Sequence, residues 1–352
     1  MNLMMKKQSR FIQRSHALRF AWQTGLTLVE LMVAMALSLL VIAVALLSLM
    51  GVGQGLRSTS ATAQLNDAAM LVTSVLQRSA AQAGYQPSGT ETFTRETYYS
   101  AFNERPEPDV YGRDATQMAT AAAEVSSSDI SGFYAGGGGG GLATSGNAAG
   151  NDLLAIRFQA VPETDEEKKG LTAMADLCTG KPLTTNPYDT YSAADRFEMH
   201  KPIYTFFVTN DVLYCKSWAR AAGNTEAVAT PVMDGVLAFE VLYGVWDRTT
   251  GAQGAPNQWK SASDMEADDW YRVKRIRVGL LLQSKVNAGP ARNETVDYYP
   301  LGEGFYTSAD QGSKVTVNFK DGRVFRVVNF TVNVSNMMIP RNEQSSDEAH
   351  QG

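Results

Sequence analysis

The chain has 352 residues, 44% of them hydrophobic, and a formal net charge of −5, which allows one large or two modest domains with a real core. Five of the 31 basic side chains (Lys6, Lys7, Arg10, Arg14 and Arg19) precede residue 26 with no acid among them, so 26 remain against all 36 acids, a net of −10 for the body. Nucleic acid is not expected as a partner of so acidic a body, because neutralising phosphate needs clustered Lys and Arg.

The basic start flanks an apolar run. Leu26 to Met50 reads LTLVELMVAMALSLLVIAVALLSLM, and about 25 helical residues at 1.5 Å each reach ~37 Å, enough to cross the hydrocarbon core of a bilayer. Basic residues ahead of it predict a cytoplasmic N-terminus. Its one ionisable residue is Glu30, which costs about 2.5–3.5 kcal/mol to insert and therefore needs a partner. A secretory signal peptide has a shorter apolar stretch followed by a small-x-small cut site. A plain anchor fits the length but leaves Glu30 unexplained.

Gly25 followed by Leu26-Thr27-Leu28-Val29-Glu30 resembles the type III signal of prepilins, a Gly cut site followed by F-T-L-I/V-E. The resemblance implies that a prepilin peptidase cuts after Gly25 on the cytoplasmic side and methylates the new amine of Leu26. It also makes Glu30 the fifth mature residue. Leu26 stands where the family usually has Phe. Residues 1–25 are then a leader and 26–50 a transmembrane and polymerisation helix. The new amine supplies a cation at the depth of Glu30, within the subunit or from a neighbour. Opposite charges near 4 Å attract by roughly 4 kcal/mol at an effective dielectric of about 20, which would set the stagger between adjacent helices.

Gly51, Gly53 and Gly55 follow the run. Each costs about 1 kcal/mol relative to Ala in a helix, which predicts a bend or a segment able to melt. Beyond them Leu65, Ala68, Ala69, Val72, Leu76, Ala80 and Ala83 recur at helical spacing, an amphipathic half over 51–84 that would lie on a head domain. Gly84 is the expected C-cap. Residues 85–150 read as loop-rich, with six consecutive glycines at Gly136–Gly141. They form no phosphate loop, for no Gly-Lys-Ser/Thr follows.

From 151 to 340 the pattern is β-rich. Strands are expected at Asp152–Phe158, Ile203–Val208, Val212–Lys216, Val236–Trp246, Val273–Gln283, Val315–Phe319 and Val324–Val334, with Asn210-Asp211 a tight turn and Asp321-Gly322 a hairpin. In Val273–Gln283 the residues Ile276, Val278, Leu280 and Leu282 share one face, with Arg275 and Arg277 on the other. Residues 341–352 read as a polar, disordered tail. The class is α+β, a helix packed across an antiparallel sheet.

The two cysteines, Cys178 and Cys215, both lie beyond the apolar run. In an oxidising compartment such a pair is expected to bridge, closing a loop of roughly 36 residues worth about 4 kcal/mol in the chain-entropy model. Two separate buried thiols are the alternative.

The helix end Ala83-Gly84-Tyr85, the strand opening Asn151-Asp152-Leu153, Leu213-Tyr214-Cys215, Gly235-Val236 with Leu242-Tyr243-Gly244-Val245, the Val273–Leu282 strand and Arg341-Asn342 resemble the PilW family of minor pilins. The resemblance implies the type IV pilin fold and a single-pass inner-membrane protein with a periplasmic head. It implies a role in priming, or at the tip of, a type IV pilus, supporting pilus biogenesis, twitching motility and adhesion. The implied partners are other minor pilins and the major pilin through the N-terminal helix, the prepilin peptidase, the inner-membrane assembly machinery and a tip adhesin. The large pseudopilin J of type II secretion shares the long helix and β-rich head, and an adhesin-like or DNA-capturing tip module is a further alternative.

No enzyme and no cofactor are expected. The histidines are His16, His200 and His350, which with two cysteines leaves neither a nucleophile–base pair nor a zinc cluster. Asp264, Glu266 and Asp268 alternate faintly like a calcium loop, but Asp269 replaces the turning glycine and Arg275 the closing glutamate. A solvated acidic loop is the plainer reading, and Lys274, Arg275 and Arg277 are read as structural and solvent-facing.

Overall fold

Leu, Ala and Met, which recur from residue 28 onward, favour helix, and no Gly or Pro interrupts the run before Gly51. The computed structural model describes residues 27–85, 108–114, 151–158, 174–175, 177–178, 182–183, 203–218, 229–246, 256–288, 291–308, 310 and 312–334. Helix α1 spans Leu28–Ala81. The chain divides into two units, residues 1–53 and 54–352.

In the first unit α1 carries a stretch long and apolar enough to cross a membrane, and every residue from 27 to 52 is exposed. The helical assignment continues through Gly51 and Gly53 here and Gly55 in the second unit, so the three glycines do not end the helix. A Cβ at any of them would meet open space.

In the second unit a stripe of Ala61, Leu65, Ala69, Val72, Leu76, Ala80 and Ala83 is buried, recurring at steps of three and four as one helix face must. It is the stripe read from the sequence, with Ala68 half-buried against the same core. The helix closes through Gln82 to Gly84, where Gly84 takes φ 74° and its N–H donates to the Arg157 carbonyl at 2.8 Å. The predicted C-cap is also the first tie between the helix end and the sheet.

Among the described residues thirteen strands follow in order: β1 Val110–Arg113, β2 Leu153–Arg157, β3 Met174–Ala175, β4 Pro182–Leu183, β5 Ile203–Thr209, β6 Val212–Trp218, β7 Thr230–Asp234, β8 Val236–Val245, β9 Gln258–Lys260, β10 Val273–Gln283, β11 Thr295–Tyr298, β12 Val315–Asn318 and β13 Phe325–Asn333. They make a five-stranded sheet β1-β2-β5-β6-β7, a four-stranded sheet β13-β10-β8-β9, and two ribbons, β11-β12 and β3-β4. Every pairing is antiparallel. The head therefore has two principal sheets rather than one. β1 also falls inside the stretch read as loop-rich.

Asn210 and Asp211 turn β5 into β6 with φ 51° and 60°, the mirror-image geometry that suits the right-handed twist of paired strands. β7, with Pro231 in it, lies at a sheet edge, where a missing N–H is tolerated. One residue separates β7 from β8 in the other sheet. That residue is Gly235 at φ 79°, and a Cβ there would stand 2.6 Å from the Gln283 carbonyl oxygen, so only glycine makes this crossing without strain.

The expected Asp321-Gly322 hairpin does not form. Gly322 does turn the chain at φ 61°, but β12 pairs with β11, while β13 pairs with β10 through nine residues from Arg275 to Gln283. The turn changes sheets because the long apolar β10 offers β13 a far larger ladder than the four-residue β12 does.

One core cluster takes in the helix stripe, Leu154 and Ile156 of β2, Phe206 of β5, Leu213 of β6, Phe239, Val241 and Tyr243 of β8, and Ile276, Val278 and Leu280 of β10. The opposite face of the four-stranded sheet buries Ala238 and Leu281 against Val317 of the β11-β12 ribbon.

Leu76 sits in this core at 1% exposure, whereas Leu71, five residues earlier on the same helix, is 55% exposed. Leu76→Ala is expected to destabilise the protein by about 2–5 kcal/mol, and Leu71→Ala by no more than about 0.5 kcal/mol. Denaturant midpoints of the two variants in detergent measure both.

Candidate functional site

The residues singled out in the N-terminal region divide at the first described position. Gly25 and Leu26 lie outside the described residues. Glu30 lies in the first turn of α1. Its backbone N–H donates to the Thr27 hydroxyl oxygen at 3.3 Å, and that hydroxyl donates to Glu30 Oε2 at 3.5 Å. The Thr27 carbonyl accepts from Leu31 at 3.2 Å. Thr27 thus caps the helix, and Glu30 stands three residues on, the Thr-x-x-Glu spacing of a capping box. The Thr27–Glu30 spacing that gives this local role is already present in the sequence.

Cys215 belongs to β6, is buried, and packs in the main core with Cys178 half-buried beside it. The structure brings the two Cα atoms to 5.3 Å and joins the sulfurs, a separation in the ordinary range for a bridge.

The acidic stretch 264–269 is occupied locally. Asp264, Glu266 and Asp268 are exposed. Asp264 accepts from the Ser261 hydroxyl at 3.2 Å. Asp269 is the buried member, and Lys260 Nζ at 2.7 Å, Arg272 Nη2 at 3.1 Å and the Glu266 N–H at 3.1 Å all reach its carboxylate. Trp270 is core, with ring centroids 4.7 Å from Tyr111 and 4.8 Å from Tyr243. Arg275 is exposed, whereas Arg277 is half-buried. It donates through Nε and Nη2 to the Leu301 carbonyl at 3.0 and 2.8 Å and lies 4.6 Å above the Phe305 ring.

Among the described residues three carboxylates converge at one place, and it is not this stretch. Asp152, Glu240 and Asp310 each bring an oxygen within 4.8 Å of the others. Asp152 precedes β2. Its Oδ2 accepts the Val241 N–H at 2.8 Å, as Asn151 Oδ1 accepts the Phe239 N–H at 2.7 Å. These bonds cap the edge of β8 that β9 leaves open, since β9 reaches only Tyr243 to Val245. Glu240 lies between those two amides in β8, on the face opposite the main core and level with Gly279 of β10. A Cβ at Gly279 would fall 2.5 Å from the Pro300 carbonyl carbon, so its absence lets the segment leading toward Asp310 lie against the sheet beside Glu240.

Glu240 is fully buried, and neither carboxylate oxygen has a hydrogen-bond partner among the described residues. Burial pushes its carboxyl well above the ordinary carboxylate range, and Asp152, Asp310 and Asp114 push in the same direction. Asp310 is raised to about 6 by burial, then by Asp114 and Asp264. Burial raises the Tyr243 hydroxyl too, with Asp152, Asp114 and Tyr111 adding to it. Asp114 itself accepts the Ala262 and Ser263 N–H groups, both at 2.9 Å. Sequence reasoning missed this cluster because its members are far apart in the chain. The one available signal was a glutamate in the middle of an otherwise apolar strand, Val236–Val245.

No curated protein sequence matches the chain. The solved structure of the type IV-like pilin TTHA1219 from Thermus thermophilus aligns with 78% of this chain and 97% of its own at 15% identity and a TM-score of 0.38. Residues 203–336 match the family model of the Type IV Pilus-assembly protein W, PilW, a span that starts at β5 and takes in every later strand through β13. The likeness to PilW read from the strands of the head thus holds across β5 to β13, and this chain is similar there to type IV pilus-assembly proteins.

Proposed function

We propose that this protein is a minor pilin, anchored in the inner membrane with its head in the periplasm until it joins other minor pilins to prime or tip a type IV pilus. The observation that carries the reading is the PilW match over 203–336 in a chain whose α1 begins with a fully exposed apolar stretch of membrane-spanning length. Such a stretch exchanges lipid for equally apolar neighbouring helices at little hydrophobic cost, so packing shape and polar register decide assembly. Pilus biogenesis, twitching motility and adhesion are the processes it would support. Its partners would be the major pilin, the inner-membrane assembly machinery and a tip adhesin.

Processing is part of the same proposal. Prepilin peptidase cuts after Gly25 and methylates Leu26, and the amine so created pairs with Glu30. Gly51, Gly53 and Gly55 serve as a segment that melts on entry into the fibre. The head reaches an oxidising compartment, where Cys178 and Cys215 bridge. The rival within the class is a pseudopilin of type II secretion, and a deletion strain separates them: loss of twitching supports the pilus, whereas loss of secretion with twitching intact rejects it.

A Gly25→Asp chain is expected to keep its leader, with an intact mass larger than that of the processed wild type by residues 1–25. Processing of that variant at the same bond would reject the cut site. Glu30→Ala is expected to insert normally and to lower surface piliation at least several-fold, read by sheared-fibre yield against membrane-bound protein. Normal piliation would reject the pairing. Mass spectrometry of unreduced peptides should recover one linking Cys178 to Cys215, and two free thiols in freshly prepared membranes would contradict the bridge.

A further inference from the structure

The acids at the junction of β2, β8 and the segment after β11 have no place in pilus assembly through α1, and their arrangement is costly without a counter-charge. Glu240 has no exposed surface and no hydrogen-bond donor on either oxygen among the described residues. Burying a carboxylate unpaired is among the most expensive things a fold can do. Among the described residues the charged groups acting on it are Asp152, Asp310 and Asp114, all acids.

We infer that Asp152, Glu240 and Asp310 form a binding site for a divalent cation of calcium type, with Glu240 as its central ligand. The ligand atoms lie within 4.8 Å of one another, the spread across which a single ion of 2.3–2.6 Å bond length reaches all three. All the donors are carboxylate oxygens, the hard set that calcium and magnesium take and zinc or copper does not prefer. Among the described residues neither Glu240 oxygen has a hydrogen-bond partner, which suits the bidentate carboxylate common at calcium. Magnesium instead demands near-ideal octahedral geometry and retains several waters, which a fully buried central ligand does not favour.

The ligands come from three separate stretches. Asp152 is fixed by the Val241 N–H. Glu240 is fixed by the paired strands β8 and β10. Asp310 is held by its backbone: its N–H donates to the Thr307 carbonyl at 3.3 Å, and its carbonyl accepts from Ser313 Oγ at 2.7 Å. An ion at their centre ties the segment after β11 to the seam between the two sheets. It would stabilise the head without touching the polymerising helix.

The experiment uses the full chain in detergent, stripped with a chelator and titrated with calcium or magnesium chloride while its thermal unfolding is followed. Calcium at about tenfold over Kd should raise the midpoint by about 2–4 °C, with a larger response than to magnesium at equal concentration. Glu240→Gln, which removes the charge and keeps the shape, should lose the calcium shift while unfolding no earlier than the stripped wild type. Asp268→Asn, in the exposed acidic stretch, should keep it. Isothermal titration should find one site per chain in the wild type and none in Glu240→Gln. No calcium shift in the wild type, an undiminished shift in Glu240→Gln, or its loss in Asp268→Asn would each overturn the site; the first would mean that the cluster is held by shared protons instead.

Discussion

The head depends on how two backbone amides at the edge of β8 are satisfied. β8 is ten residues long and pairs along its length with β10, but β9 covers only the last three residues of its other edge. The N–H groups of Phe239 and Val241 point out of that open edge inside the core. Left without acceptors, each would cost about 1–3 kcal/mol. Asn151 and Asp152 accept them, and the Asp152 N–H returns a bond to the Phe239 carbonyl at 2.8 Å. β2 begins at the next residue, so the bonds that complete one sheet also dock the start of a strand in the other. One core cluster then spans both sheets and receives the helix stripe. Gly235, where the chain itself passes from one sheet to the other, is the covalent counterpart of this seam.

The two clip residues are not equivalent. Asn151 shows that a neutral side chain is enough to accept one β8 amide at 2.7 Å. Asp152 does the same work with one carboxylate oxygen and brings to the seam a negative charge that the clip does not require. That charge stands beside Glu240 and raises its pKa further. A fold selected for stability alone would be expected to use a second asparagine there. The cation reading gives the extra charge a purpose.

Legibility in the sequence followed the range of the interaction. The buried stripe from Leu65 to Ala83, the Gly84 cap, the Asn210-Asp211 turn and the bounds of β10 are properties of short windows, where periodicity and turn chemistry act directly. The strand pairing was not local. Asp321-Gly322 has the chemistry of a hairpin and still joins strands of different sheets, because β10 competes for β13 and wins on ladder length. β1, β7 and β9 are short edge strands with little pattern to read. The acid cluster is least legible of all, for Asp152, Glu240 and Asp310 meet only after both sheets have formed. Glu240 alone hinted at it, and an acid amid Val, Leu and Phe in β8 is the same kind of anomaly that drew attention to Glu30.

Magnitudes distinguish those two acids. Glu30 has a local partner in the structure, since the Thr27 hydroxyl and the free N–H groups of the first helical turn favour a carboxylate at that position. A negative charge there gains about 0.3–1 kcal/mol from the helix dipole, and a cap of this kind is worth about 0.5–2 kcal/mol. The Thr27–Glu30 side-chain contact is long at 3.5 Å, so the lower ends of these ranges apply. Against an insertion cost of about 2.5–3.5 kcal/mol, the cap falls short on its own. The proposed amine at Leu26, worth roughly 4 kcal/mol at contact, would cover the difference. The Thr27 cap therefore accounts for where the helix starts, and the proposed pairing would supply the remainder. Glu240 lies in a strand, without a helix dipole, and among the described residues neither of its oxygens has a hydrogen-bond partner, which is the deficit the proposed cation would meet.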